Sequence, residues 1–296
     1  MLYSLIHHPV DLGPAHASGV LTPLPENLDK PDPNEITDEE FEEAKHFDFP
    51  GFVCSLGYVA EWSKPELLYA RSFLSSYLTR WNTKIVEYAI HTLQYLIHHK
   101  EYGTIYSKGR DFHGPYQIYS FADGSLMNET KRRSRAARLV KMSGAAISAK
   151  TNKTTIVHMS STSVETEAAC MAALDIVGLR HLLEEIGIWY NTPVIIYEDN
   201  QPTIKVAHNE SSIADAGRHL EVRNFKLQEL VENETIVLKY IDTQRQVADI
   251  LTKPLGKIAF ERLRDDLTGY LAVKQPGENI HVLQARIVPK YSFIEW

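Results

Sequence analysis

Apolar residues recur at helical spacing over Thr162–Gly187, where Ala168, Met171, Ala172, Leu179, Leu182, Leu183 and Ile186 share one face. The spacing predicts one long amphipathic helix. Thr162 followed three residues later by Glu165 is a capping-box signature, and Gly187 is a natural stop. On this reading Glu165 serves the helix end. Glu167 is left as a carboxylate among the small residues Thr166, Ala168 and Ala169, where a ligand can approach closely.

Strand-like alternation precedes this helix. YQIYSFADGS ends in Asp-Gly, and RAARLVKMSGAAISAK and KTTIVHMSS read as two further strands, with Gly144 near a turn. After the helix, NTPVIIYEDNQ is a continuous apolar run that suits a strand buried on both faces. QPTIKVAHN reads as a short helix. ADAGRHLEVRNFKLQELVENE reads as a longer one, with Leu220, Phe225, Leu227 and Leu230 as its apolar contacts. TIVLKYID is a strand, RQVADILTKPL a helical turn stopped by Pro254, and IAFERLRDDLTGYL a last amphipathic helix. The order from residue 115 is β-β-β-α-β-α-α-β-α, which predicts a mixed sheet with helices on its faces.

The flanks differ. Residues 50–100 carry apolar positions at helical spacing and predict a small helical subdomain. Residues 1–45 hold Pro23, Pro25, Pro31 and Pro33 and the acidic run Asp38–Glu43, and read as an extended or partly disordered, solvated arm. Beyond residue 273 only VLQARIV resembles a strand. The expected division is an acidic Pro-rich arm (1–49), a helical segment (50–108), an α/β domain (115–272) and a tail (273–296).

Composition changes this picture little. The 296 residues are 44% hydrophobic and 23% charged, ordinary for a globular chain. Cys54 and Cys170 stand far apart in apolar surroundings and read as buried, reduced thiols. No apolar run is long enough to span a membrane and no secretory signal is evident, so an intracellular protein, cytoplasmic or nuclear, is expected. The net charge of −7 hides an asymmetry. Residues 25–50 hold ten acidic residues against two lysines, whereas Lys131, Arg132, Arg133, Arg135, Arg138 and Lys141 lie within eleven residues. That cluster is compatible with a polyanionic ligand.

Four acids fall where such a fold can gather them. Asp123 is near the end of the first strand, Glu167 in the first turn of the long helix, and Asp199 directly after VIIYE. Asp249 opens the last helix after TIVLKYID. Strand ends and helix starts converge on one edge of an open sheet. Converging carboxylates repel, and a hard divalent cation such as Mg²⁺ resolves that repulsion. Two such ions would clamp the attacking and leaving oxygens of a phosphodiester.

At this point the motifs match a family. YSFADGS, KRRS, SSTSVETEA, VIIYEDNQPTIKVAHN, RHLEVRNFKLQELVENETIVLKYI and VADILTKPL, in this order over about 115–272, resemble the ribonuclease H domain of copia-type LTR-retrotransposon polyproteins. VCSLGYVAEWSKPELLYARSFLSSYL and YLIHHKEYGTIYSKG resemble the reverse-transcriptase connection segment that precedes it. The resemblance implies a ribonuclease H-like mixed five-stranded sheet and hydrolysis of the RNA strand of an RNA–DNA hybrid during reverse transcription. It implies two Mg²⁺ ions, replaceable by Mn²⁺, on Asp123, Glu167, Asp199 and Asp249. Arg132, Arg133, Ser134 and Arg135 would lie near the substrate backbone, and Asn200 and Gln201 near minor-groove edges or sugars. The polymerase part of the same polyprotein is a further expected partner.

The chain departs from the family at ADGS, where an aspartate-rich DADW-like motif is common, and after Glu167, where Ala replaces the usual Tyr. The loop DTQRQ lacks the histidine that many ribonucleases H carry before the last aspartate. No YxDD-type polymerase pair is present. Two other functions stay open on sequence: a non-catalytic or domesticated element fragment that binds nucleic acid or protein, and another nuclease on the same fold.

Overall fold

The computed structural model describes residues 19–106, 118–127, 132–188, 192–209 and 218–270. Five strands form one sheet: β1 (Ile118–Ser125), β2 (Arg135–Met142), β3 (Ala145–Lys153), β4 (Val194–Glu198) and β5 (Ile236–Tyr240). Their spatial order is β3-β2-β1-β4-β5. The first three pair antiparallel, and β4 and β5 run parallel to β1. Among the described residues four α-helices precede the sheet: α1 (Asp38–Ala44), α2 (Phe49–Trp62), α3 (Leu68–Ser75) and α4 (Thr83–His98). Four more are α5 (Ser161–Glu185), α6 (Gln201–Ala207), α7 (Arg218–Glu232) and α8 (Lys257–Leu267). The expected architecture is observed: a mixed five-stranded sheet with helices on its faces, after a helical region. VLQARIV lies outside the described residues.

Alternation along β1 divides the core in two. Ile118 and Ala122 join Ala136, Val140 and Ile196 on one face, against Val164, Ala168, Ala169 and Ala172 of α5. The alanines let the helix lie close to the strands. Tyr119 and Phe121 point the other way, with Ala137 and Leu139, into a core shared with α2, α3 and α4.

Three local expectations are corrected. RAARLVKMSGAAISAK is a hairpin of two strands, because Ser143 (φ 55°) and Gly144 (φ 86°) both adopt the left-handed backbone that a two-residue reversal needs. KTTIVHMSS contributes only the end of β3 and then runs without strand structure. In α5, Leu182 and Ile186 are exposed, because the buried face runs through Ala168, Ala172, Ala173, Ile176 and Leu183 and leaves them outside it.

The described part of the arm, residues 19–49, is ordered, against expectation, and residues 1–18 lie outside the described residues. Its acidic run is helical: Thr37 and Glu40 close a capping box at the start of α1. The prolines only interrupt regular structure, while Leu24, Ile36, Ala44 and Phe47 of the arm are buried. Backbone carbonyls of the arm accept hydrogen bonds from Tyr77 (3.1 Å to Pro31), Arg80 (2.6 Å to Ile36) and Thr92 (2.9 Å to Pro23). Cys54 is exposed, against expectation, because it sits on the outer side of α2; Cys170 is buried. No described helix is long and apolar enough to cross a membrane.

Two cations of β2 join the helical region and α8 to the sheet. Arg135 is fully buried, donates to Ser72 on α3 (2.6 Å) and to Thr151 on β3 (3.2 Å), and lies over the Tyr69 ring. Lys141 donates to the Asp266 carbonyl on α8 (2.8 Å) and pairs with the Asp266 carboxylate. Removing a buried, hydrogen-bonded guanidinium forfeits charge-assisted bonds and leaves a void. Arg135→Ala is expected to lower the unfolding free energy by about 2–4 kcal/mol, measured by urea denaturation. A loss below about 0.5 kcal/mol, the range of ordinary surface substitutions, would contradict this role for the seam.

Candidate active site

The carboxylates gather where β1, β4, the start of α5 and the turn after β5 meet. Asp123 comes from β1, where it pairs with Ala137 of β2, just beyond the Tyr119–Phe121 stretch that pairs with β4. Asp199 directly follows β4, and Asn200 caps α6 by accepting from the Thr203 amide at 3.1 Å. Asp249 lies in a short 3₁₀ turn, Val247–Leu251, and not at the start of the last helix. Gln246 anchors that turn: its side-chain amide donates to the Ala122 carbonyl at 2.8 Å, beside Asp123.

The helix carboxylate of the group is Glu165. One oxygen each from Asp123, Glu165 and Asp199 lies within 4.8 Å of the others. The expected cap is displaced, because Ser160, not Thr162, caps α5 and accepts from the Ser163 amide at 3.2 Å. Glu165 is thereby freed from the helix end. Gly124 allows the close approach: a Cβ there would fall 2.8 Å from the Glu165 nitrogen and from the Val164 carbonyl carbon.

Glu167 points elsewhere. Its carboxylate pairs with Arg223 of α7 and lies 3.1 Å from Nε2 of buried His158, whose Nδ1 is 2.6 Å from the Ser163 hydroxyl. Burial pushes the Glu167 carboxyl up, but the His158 hydrogen bond and the Arg223 charge outweigh it and hold it below its ordinary value. The sequence held a signal for the other choice. Glu165, Ala168, Ala169 and Ala172 follow the i, i+3, i+4, i+7 spacing of the face against the sheet, and Glu167 does not.

Sequence reading also missed Glu198, which the alternation of β4 turns to the same side as buried Val194 and Ile196. It is fully buried, and its Oε1 accepts from the Asn200 amide at 3.1 Å. Five acids thus crowd one crevice. Burial, then Asp249, lifts the Asp123 carboxyl to about 7, even though Thr252 donates to it. Burial and then Glu198 raise Glu165 well above the carboxylate range. Burial likewise raises Glu198 and Asp249. Asp249 shares a hydrogen bond with Asp123 and pairs with Lys253 at 2.8 Å. Asp199 accepts from the Thr243 hydroxyl at 2.7 Å. One Glu165 oxygen, Oε2, is buried and has no hydrogen-bond partner.

The basic run is largely spent inside the fold. Ser134 and Arg135 are buried, Arg138 pairs with Asp175 at 2.8 Å, and Arg133 donates to the Thr155 carbonyl. Burial takes Ser134 and Arg135 away from any backbone lying on the surface. Arg132 is exposed and Arg133 half-buried. Of the pair beside Asp199, Asn200 is occupied as a cap and Gln201 is exposed.

Comparison with known proteins gives the arrangement a relationship. The chain is 22% identical over 231 residues to the Ty1-LR3 and Ty1-PR1 Gag-Pol polyproteins of Saccharomyces cerevisiae, which covers 77% of this chain and 13% of each polyprotein. The chain is homologous to the Ty1 Gag-Pol polyproteins of the copia type. It thus spans about an eighth of the length of these relatives. No family model matches. Among solved structures, the LC11 ribonuclease H1 in complex with RNA/DNA hybrid is 14% identical, covers 46% of this chain and 94% of its own, and has a TM-score of 0.37. A foamy viral protease-reverse transcriptase in complex with RNA/DNA hybrid is 11% identical, covers 70% and 27%, and has a TM-score of 0.39. In this Ty1-related chain VADILTKPL supplies Asp249, Thr252 and Lys253, so one short motif carries both an acid and the groups that partner the acids.

Carboxyls raised in the fold bind protons that the unfolded chain has already released. Their contribution to stability is therefore fully present below the ordinary carboxylate value and is lost as pH rises through the folded one, about 7 for Asp123. Without divalent ions the melting temperature is expected to fall between pH 5 and 8, and Asp123→Asn to flatten that fall. A metal-free protein equally stable at both ends of this range, by calorimetry, would contradict the crowding of these acids.

Proposed function

We propose that this chain is a divalent-metal-dependent endonuclease of the ribonuclease H type, acting on the RNA strand of RNA–DNA hybrids during retrotransposon reverse transcription. The observation that carries the reading is the convergence of Asp123, Glu165 and Asp199, with Asp249 adjoining, in a buried crevice that leaves a Glu165 oxygen without a partner. The donor set fits a hard cation: it is all oxygen, buried and mutually repelling. Asp123, Glu165, Asp199 and Asp249 would hold Mg²⁺, as two ions in the complete complex, with Mn²⁺ able to substitute. When bound, such ions supply Lewis acidity and a water made acidic enough to attack a phosphodiester.

The chain's own residues prepare this site. Gln246 and Thr252 fix the Asp249 turn against β1, so the acids need no reorganisation when substrate arrives. Thr243 orients Asp199. His158 and Arg223 restrain Glu167, and with it the first turn that presents Glu165. Gln201 is exposed beside Asp199 and would meet minor-groove edges or the 2′-hydroxyls that distinguish RNA from DNA. Arg132, exposed on a backbone of positive φ, and Arg133 would meet phosphates. On this reading the work is intracellular, and the polymerase part of the polyprotein is the natural partner.

Cleavage of a labelled hybrid in Mg²⁺ tests the reading. Glu165→Gln and Asp199→Asn are each expected to lose on the order of 10²-fold or more in rate, the several kcal/mol that a metal centre contributes. Glu167→Gln is expected to retain activity within about tenfold, as a residue one step removed from the ligands. Absence of cleavage by the intact chain, or equal cleavage by Asp199→Asn, would favour a binding module with no catalytic role. Preference for duplex DNA would favour another nuclease chemistry on this sheet.

A further inference from the structure

The acids of the crevice are not served alike. Asp123, Glu165 and Asp199 converge within reach of one ion, and Asp249 is not among the three. Asp249 has a cation of its own: the Lys253 ammonium lies 2.8 Å from its Oδ1. Lys253 is not a loose surface residue. It stands one turn after Asp249, and Pro254 restricts its backbone. It also lines a small cavity of about 20 Å³ together with Glu66, Tyr69, Ile250 and Phe260, so its surroundings include the seam between the helical region and the sheet. Its neighbour Thr252 donates to Asp123. Adjacent residues of one motif thus supply a hydroxyl to one acid and a positive charge to another.

We propose that Lys253 is a resident cation in the place of a second divalent ion. The inference rests on the metal-dependent reading above. In the protein without nucleic acid, one divalent ion occupies Asp123, Glu165 and Asp199, while the Lys253 ammonium neutralises Asp249. A second divalent ion must displace that ammonium, so its affinity is set by the competition.

Titration calorimetry of the full chain with Mn²⁺, in the absence of nucleic acid, tests this. Wild type is expected to bind one ion. Lys253→Met keeps the apolar stem and removes the charge, and is expected to bind two, the second at least about tenfold more tightly than in wild type, as removal of a neighbouring like charge predicts. Lys253→Arg keeps the charge and is expected to bind one. Asp249→Asn is expected to bind one with or without Lys253→Met. Two comparable sites in wild type would overturn the inference and leave the metal-dependent reading intact. One site of unchanged affinity in a folded Lys253→Met protein would do the same. No Mn²⁺ bound by wild type would overturn both. Should Lys253→Met fail to fold, the wild-type stoichiometry and the Lys253→Gln titration decide the matter on the same terms.

Discussion

Mutual repulsion among buried carboxylates is the constraint around which this structure is arranged. Asp123, Glu165, Glu198, Asp199 and Asp249 occupy one crevice, and burial makes Asp123, Glu165, Glu198 and Asp249 costlier to ionise. The fold answers with few and specific partners: a hydroxyl from Thr252, a hydroxyl from Thr243, the Asn200 amide and the Lys253 ammonium. These do not neutralise the cluster. The remaining demand for positive charge is what makes the crevice suited to a divalent ion and to the phosphates of a nucleic acid.

Such a site needs a stiff frame, because charges that repel will separate if they can. The acids therefore sit on paired strands and a capped helix, and the Asp249 turn is tied to β1 through Gln246. The frame is braced from behind by the helical region, whose aromatic core is continuous with one face of the sheet. Basic residues that look destined for a ligand do this bracing instead. Arg135 and Lys141 each carry a charge into the interior and find a partner on another element, an arrangement in which breaking the pair costs far more than the pair contributes.

The helix α5 shows how a small local difference redirects function. Ser160 to Ser163 offers four hydroxyl residues in a row, and any of them can cap. Capping at Ser160 puts Glu165 against the sheet and turns Glu167 towards α7. Capping at Thr162 would have assigned Glu165 to the helix end. Only the lack of a side chain at Gly124 lets α5 approach β1 closely enough for Asp123 and Glu165 to share the crevice.

Periodicity and turn chemistry alone determined the order of elements, the mixed sheet, and the positions of Asp123 and Asp199 at strand ends, because these depend on neighbours along the chain. The motif order likewise carried the relationship to copia-type elements. Long-range packing decided the rest. The described part of the arm is folded because Leu24, Ile36 and Phe47 find a core contributed by α2, α3 and α4. The basic run of β2 turned inward because the strand is covered on both faces and flanked by two others. Which glutamate of α5 meets the aspartates, and that Glu198 and Lys253 join them, depended on how closely a helix, a strand and a turn far apart in sequence approach one another. No local pattern encodes that distance, and electrostatic interactions depend on it most steeply.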